Sequence, residues 1–167
     1  MDVILTNPPF GGEEEKGVQG NFPGDRQTAE TALLFLQLIM RKLHRQPTEA
    51  GRPARAAVVV PNGTLSAPGV AKRLRSDLLA NFNLHTVVRL PHNVFAPYTD
   101  IKTNLLFFED GSGTREIFYC EPELPDGYSL SKTKPMLFEW LAPLIDIIEH
   151  RQITAHSWLI RRTSMKI

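Results

Sequence analysis

The tetrapeptide Asn7-Pro8-Pro9-Phe10 is the part of the sequence best equipped for chemistry. The Asn7 amide oxygen can accept a hydrogen from an amino group. Proline has no backbone N–H, so the Pro8 carbonyl stands as a second acceptor without a competing donor. Two fixed φ angles hold these acceptors in place, so little ordering entropy is lost on binding. Phe10 offers a flat apolar face to a planar ring. The four residues together suit a ring that carries an exocyclic amine. Such an amine is a poor nucleophile because its lone pair is delocalised into the ring. Two acceptors off the ring plane favour a more tetrahedral nitrogen, able to attack a methyl group opposite a sulfonium leaving group. Positioning and oriented dipoles supply the rate, and neither a metal nor a strong base is required.

The elements around the tetrapeptide must place it at the end of a strand. Val3-Ile4-Leu5 is a short apolar run that the two prolines stop. Residues 11–25 hold five glycines and three consecutive glutamates, which predicts a mobile surface loop. Thr28 reads as the N-cap of a helix whose apolar residues recur from Ala32 to Leu43 at helical spacing. Ala56 to Val60 is a continuous apolar run, the pattern of a strand buried on both faces. A second helix is predicted near residues 69–81, then strands near 84–90, 101–109 and 116–120, and a helix near 136–149 before a poorly patterned tail. Strands alternating with helices over short links give a parallel sheet covered by helices. The last strands are joined without a helix, so the final one is expected to run antiparallel. The turn at residues 110–113 suggests a hairpin, and the partner of the 116–120 strand stays open. In such sheets ligands bind at the carboxyl ends of the strands, where the tetrapeptide lies.

The chain has 167 residues, 42% hydrophobic and 22% charged, an ordinary globular composition. A single cysteine, Cys120, excludes an internal disulfide. The apolar run from Ala32 to Leu36 is far shorter than the ~20 residues a membrane helix needs. The first residues lack a signal-peptide pattern. The reading is a soluble, cytoplasmic protein in a reducing compartment, with no membrane partner. A formal charge of +1 is too small for a protein that holds nucleic acid by charge alone.

Asp2 to Gly12 resembles motif IV of adenine-specific DNA methyltransferases. Downstream, Ala56 to Gly63, Phe82 to Pro91, Val94 to Thr99 and Thr103 to Phe108 extend the likeness. As a set these segments resemble the modification subunit of type I restriction-modification systems, over most of Asp2 to about Trp158. Ser66 departs from it, since relatives more often carry Phe there. The resemblance implies an α/β, Rossmann-like S-adenosylmethionine-dependent methyltransferase fold, of which this chain holds the C-terminal half of the sheet. It implies residues 1–120 as a partial methyltransferase domain and 121–167 as a C-terminal extension with one helix and a tail. It implies Asn7, Pro8, Pro9 and Phe10 as catalytic, double-stranded DNA as substrate, and the specificity and restriction subunits as partners. The glycine-rich loop and acidic residue that hold the cofactor in such enzymes precede motif IV, so the chain is expected to be a piece that is inactive alone, with its cofactor contacts unassigned.

The loop at residues 91–100 would lie beside the tetrapeptide. Phe95 or Tyr98 would stack on the other face of a flipped base, and the resemblance favours Phe95. His92, Asn93 and Lys102 would touch phosphate. The basic run Arg41, Lys42, Arg45, Arg52 and Arg55 falls at the opposite end and reads as a solvated helix terminus. His44 and His85 read as structural, Trp140 and Trp158 as packing anchors, and Cys120 as a buried thiol. Absence of a first strand beside Val3-Ile4-Leu5 would leave an apolar edge, so a homodimer of the chain is expected. Two other functions stay open. One is a protein-glutamine methyltransferase relative, which typically has Tyr at the fourth motif position. The other is a non-catalytic structural or subunit-contact piece.

Overall fold

The computed structural model describes all residues except 44, 152 and 162–167; His44 therefore lies outside the described residues. Among the described residues six strands form one sheet: β1 (Val3–Thr6), β2 (Arg55–Pro61), β3 (Phe82–Arg89), β4 (Thr103–Asp110), β5 (Glu116–Cys120) and β6 (Ser157–Arg161), in the order β1-β2-β4-β3-β5-β6. The helices are α1 (Lys16–Gln19), α2 (Thr31–Lys42), α3 (Asn62–Ser66), α4 (Val70–Asn81) and α5 (Ala142–His150), with short 3-10 helices at Gly24–Arg26 and Phe138–Trp140.

The β-branched run of β2 forms a strand with neighbours on both sides. It pairs in parallel with β1 and antiparallel with β4. β4 also runs antiparallel to β3, so it is the reversed strand wedged between two parallel ones. The partner that the sequence left open for β5 is β3, parallel to it. The physical reason is the turn after β4, which makes no hairpin. Gly113 sits at φ +94°, where a Cβ would stand 2.8 Å from the Ala80 carbonyl. Buried Thr114 then donates to the Phe82 carbonyl and accepts from the Leu84 N–H, both at 2.8 Å. These bonds lead the chain past the end of α4 to the far side of β3.

One face of the sheet packs against α2 and α4 through Leu36, Ile39, Leu78, Val58, Leu106 and Phe108. The other face meets α5 through Leu144, beside Val88, Phe118 and Cys120. Burial pushes the Cys120 thiol up to about 11, with Glu121 adding to the shift, so it stays protonated and inert. His85 is held below its ordinary range mainly by burial, and its Nδ1 lies 2.9 Å from the Thr86 hydroxyl.

Several local expectations are corrected. Helix α2 begins at Thr31 with Glu30 as its N-cap. The Thr28 hydroxyl accepts from the Glu30 N–H at 3.2 Å, a local turn that stops the helix from starting earlier. The last helix spans Ala142–His150, preceded by a separate 3-10 turn. The unpatterned tail supplies β6, which lies antiparallel on β5. Trp158 there stacks on Tyr119 with centroids 5.6 Å apart and planes 5° from parallel. Trp140 meets Tyr128 edge to face at 4.7 Å. In the basic run, Arg45 bonds Asp110 at 2.7 Å and covers the Phe82 ring at 4.2 Å.

Candidate active site

β1 is an edge strand, and it delivers the tetrapeptide at its carboxyl end. Asn7 and Pro9 are exposed, Pro8 is buried and Phe10 half-buried. Among the described residues the Asn7 amide has no hydrogen-bond partner, so its oxygen is available to an incoming group. The buried Pro8 ring fixes the backbone on which the second acceptor sits.

The loop from β3 to β4 places Phe95 against Phe10, with ring centroids 5.3 Å apart and planes at 59°. Tyr98 is 92% exposed. Of the two aromatics that the sequence offered, Phe95 meets the tetrapeptide and Tyr98 points to solvent. His92 and Lys102, at the two ends of this loop, both line a polar cavity at the same end of the sheet. Asn93 holds a left-handed turn at φ 63°.

The segment after Phe10 was expected to be mobile, and the structure ties it and its end at several points. The Thr31 N–H donates to the Gly12 carbonyl at 3.1 Å, and a Cβ on Gly12 would stand 2.7 Å from the Thr31 hydroxyl. That hydroxyl donates to Glu14 at 3.0 Å. Arg26 grips the Asp77 carboxylate of α4 with two N–H groups, at 2.5 and 2.9 Å. This fork raises the Arg26 guanidinium above its ordinary range, chiefly through the hydrogen bond to Asp77. Long-range pairs of this kind leave no local pattern, which is why a glycine-rich composition misled. Asn62 and Asn104 were also passed over as candidates. Their signal was a polar residue at the end of one apolar strand and the start of another.

A family model described as N-6 DNA Methylase matches residues 1–164. The chain belongs to the N-6 DNA methylase family. A relative within it, the type I restriction enzyme EcoEI methylase subunit of Escherichia coli, is 53% identical over 147 residues, covering 87% of this chain and 29% of that subunit. The EcoKI methylase subunit of Escherichia coli K12 is 36% identical over 110 residues, or 66% of this chain and 19% of that subunit. A solved modification subunit assigned to a type I restriction enzyme of Vibrio vulnificus YJ016 superimposes with a TM-score of 0.91. It shares 54% identity over 97% of this chain and 34% of its own. The chain thus spans about a third or less of these N-6 DNA methylase relatives.

An N-6 DNA methylase reading implies S-adenosylmethionine as the methyl donor. The unpartnered Asn7 amide and the paired rings fit the acceptor of that methyl.

Proposed function

We propose that this chain is the target-base half of a methyltransferase that modifies the exocyclic amino group of adenine in double-stranded DNA. The assembly would be a type I restriction-modification system, working in the cytoplasm with specificity and restriction subunits. S-adenosylmethionine supplies an electrophilic methyl group to this chemistry. The observation that carries the reading is the exposed, unpartnered Asn7 amide beside the Phe10–Phe95 pair. A side-chain amide substrate has no use for two aromatic rings, whereas a flipped purine does.

In this reading, the amine gives one hydrogen to the Asn7 oxygen and the other to the Pro8 carbonyl. Both acceptors lie off the ring plane and turn the nitrogen lone pair outward. Phe10 supports one face of the base. A ring held between Phe10 and Phe95 needs about 3.5 Å on each side, about 7 Å in all. At 5.3 Å and 59° the rings are too close and too steeply tilted, so Phe95 must rotate and its loop move outward by roughly 2 Å when a base enters. The extra proton left on nitrogen after transfer departs along the Asn7 hydrogen bond to solvent.

The test is product analysis. A full-length subunit carrying this sequence, assembled with its specificity subunit and the methyl donor, should leave N6-methyladenine in DNA. Mass spectrometry of digested nucleosides would detect it. Methylated glutamine in protein, or no product in either polymer, would overturn the reading.

The exposed edge supports association of this chain with itself. Val3 is 51% and Leu5 77% exposed on β1, whose described partner is β2 alone. Unpaired strand edges of this kind invite pairing. Light scattering at micromolar concentration should give a mass above 18.8 kDa. A monomer at every concentration would refute it.

A further inference from the structure

The polar cavity that His92 and Lys102 line has a volume of about 650 Å³. It lies at the same end of the sheet as Asn7. Its floor is the start of α3 and the start of β4, from Asn62, Thr103 and Asn104. β4 stands two strands from β1, about 10 Å at ~4.8 Å per strand.

Two observations mark it as more than a surface hollow. Thr103 is 2% exposed, and its hydroxyl is buried with no hydrogen-bond partner among the described residues. Asn104 is 1% exposed, and the side-chain bond it makes is a long one, 3.4 Å to the Asn62 amide oxygen. Buried polar groups are normally satisfied, so this floor has hydrogen-bonding capacity left for a ligand.

The charges around the cavity are mixed. On the far wall Glu121 accepts from Arg89 at 3.2 Å and Glu123 lies 3.5 Å from His156, with Asp126 nearby. On the near side the Asn62 N–H donates to the Lys102 carbonyl at 2.8 Å, which sets Lys102 beside the strand next to β1. Lys102 has no carboxylate partner among the described residues.

Resting on the DNA methylation reading, we infer that this cavity holds a nucleotide flanking the methylated base on the same strand. Lys102 meets its phosphate, and Asn62, Thr103 and Asn104 meet its base edge. The ~10 Å between β1 and β4 keeps this nucleotide clear of the base held at Asn7. Among the described residues Lys102 is the lysine or arginine at the rim with no carboxylate partner, enough for one phosphate, and the amide-and-hydroxyl floor has the polarity of a base edge.

The probe is a mixed-sequence single-stranded DNA of about twelve nucleotides, titrated into the isotope-labelled 167-residue chain and followed by amide NMR. Side-chain amide signals of Asn62 and Asn104 should shift together with the Asn7 side-chain amide and the Phe10 backbone amide. Thr103→Val keeps the side chain's shape and removes the unpartnered hydroxyl. It should leave the melting temperature unchanged or higher and weaken DNA binding roughly fivefold or more. Lys102→Ala should lower the salt slope of binding by about one. Wild-type affinity and slope in both variants would overturn the inference. Shifts at Asn7 and Phe10 with none at Asn62 or Asn104 would overturn it alone. Shifts confined to the cavity would instead strike at the methylation reading, and no shift anywhere would sink both.

Discussion

Asn7→Ala in a full-length subunit carrying this sequence lowers turnover by about 10²–10³-fold, the scale for losing one oriented polar group at a reacting centre. In the proposed reaction the exposed Asn7 amide is the acceptor that turns the amine towards tetrahedral geometry, and alanine would offer nothing in its place. Phe10 and the Pro8 backbone survive the change, so base binding is largely kept. The loss therefore falls on kcat while KM for DNA moves little, the pattern of an interaction made in the transition state. Asn7→Asp keeps an oxygen acceptor at the same place and should recover much of the rate. Methyl transfer measured with labelled donor decides the point. Near-normal turnover in the alanine variant would remove Asn7 from the mechanism.

Phe108→Ala destabilises the fold by about 3–5 kcal/mol, the usual cost of emptying a buried aromatic site. Phe108 is fully buried on β4, with its ring edge-on to Phe82 at 5.6 Å and 77°. It lies in the core that α2 and α4 share with the sheet. Against a typical total of ~5–15 kcal/mol, that loss is a large part of the stability. The melting temperature should fall by roughly 6–20 °C, at about 2–4 °C per kcal/mol for a chain of this size. Phe138→Ala is the control, since that ring is 71% exposed and its loss should cost within ~0.5 kcal/mol. Circular dichroism melts of the two variants test both. Equal melting temperatures would show that the β4 core does not carry the stability assigned to it.

Features written locally in the chain were legible. The apolar runs of β1 to β5 and the helical spacing of α2 and α4 gave those elements, and two prolines after Leu5 gave the strand end that presents Asn7. What escaped depends on partners far away. β6 is a five-residue edge strand whose register is set by β5, some forty residues upstream, and its Trp158 earns its place only against Tyr119. The loop after Phe10 reads as mobile from its glycines, yet Arg26 finds Asp77 across 51 positions. Thr28 has the right side chain for a cap, but its hydroxyl is spent on a tighter turn. At the site, the aromatic loop could be named from sequence and the family resemblance favoured Phe95, whereas the residues alone left Phe95 and Tyr98 open, because the choice depends on which ring the loop turns inward.

The position of β4 has a consequence for how the sheet is made. β2 and β3 never pair with each other; the strand that joins them comes later in the chain than either. Until residues 103–110 have left the ribosome, both strands keep an open flank. The nearest closure available to β4 is with β3, across a connection of thirteen residues, whereas β2 lies more than forty positions back. Loop closure favours the shorter span, so β3 and β4 should zip first and capture β2 afterwards. The connection closed in that first step carries Phe95. The wall that carries Phe95 would then be shaped before β2 is captured, and with it the pairing of β2 to the strand that ends at Asn7.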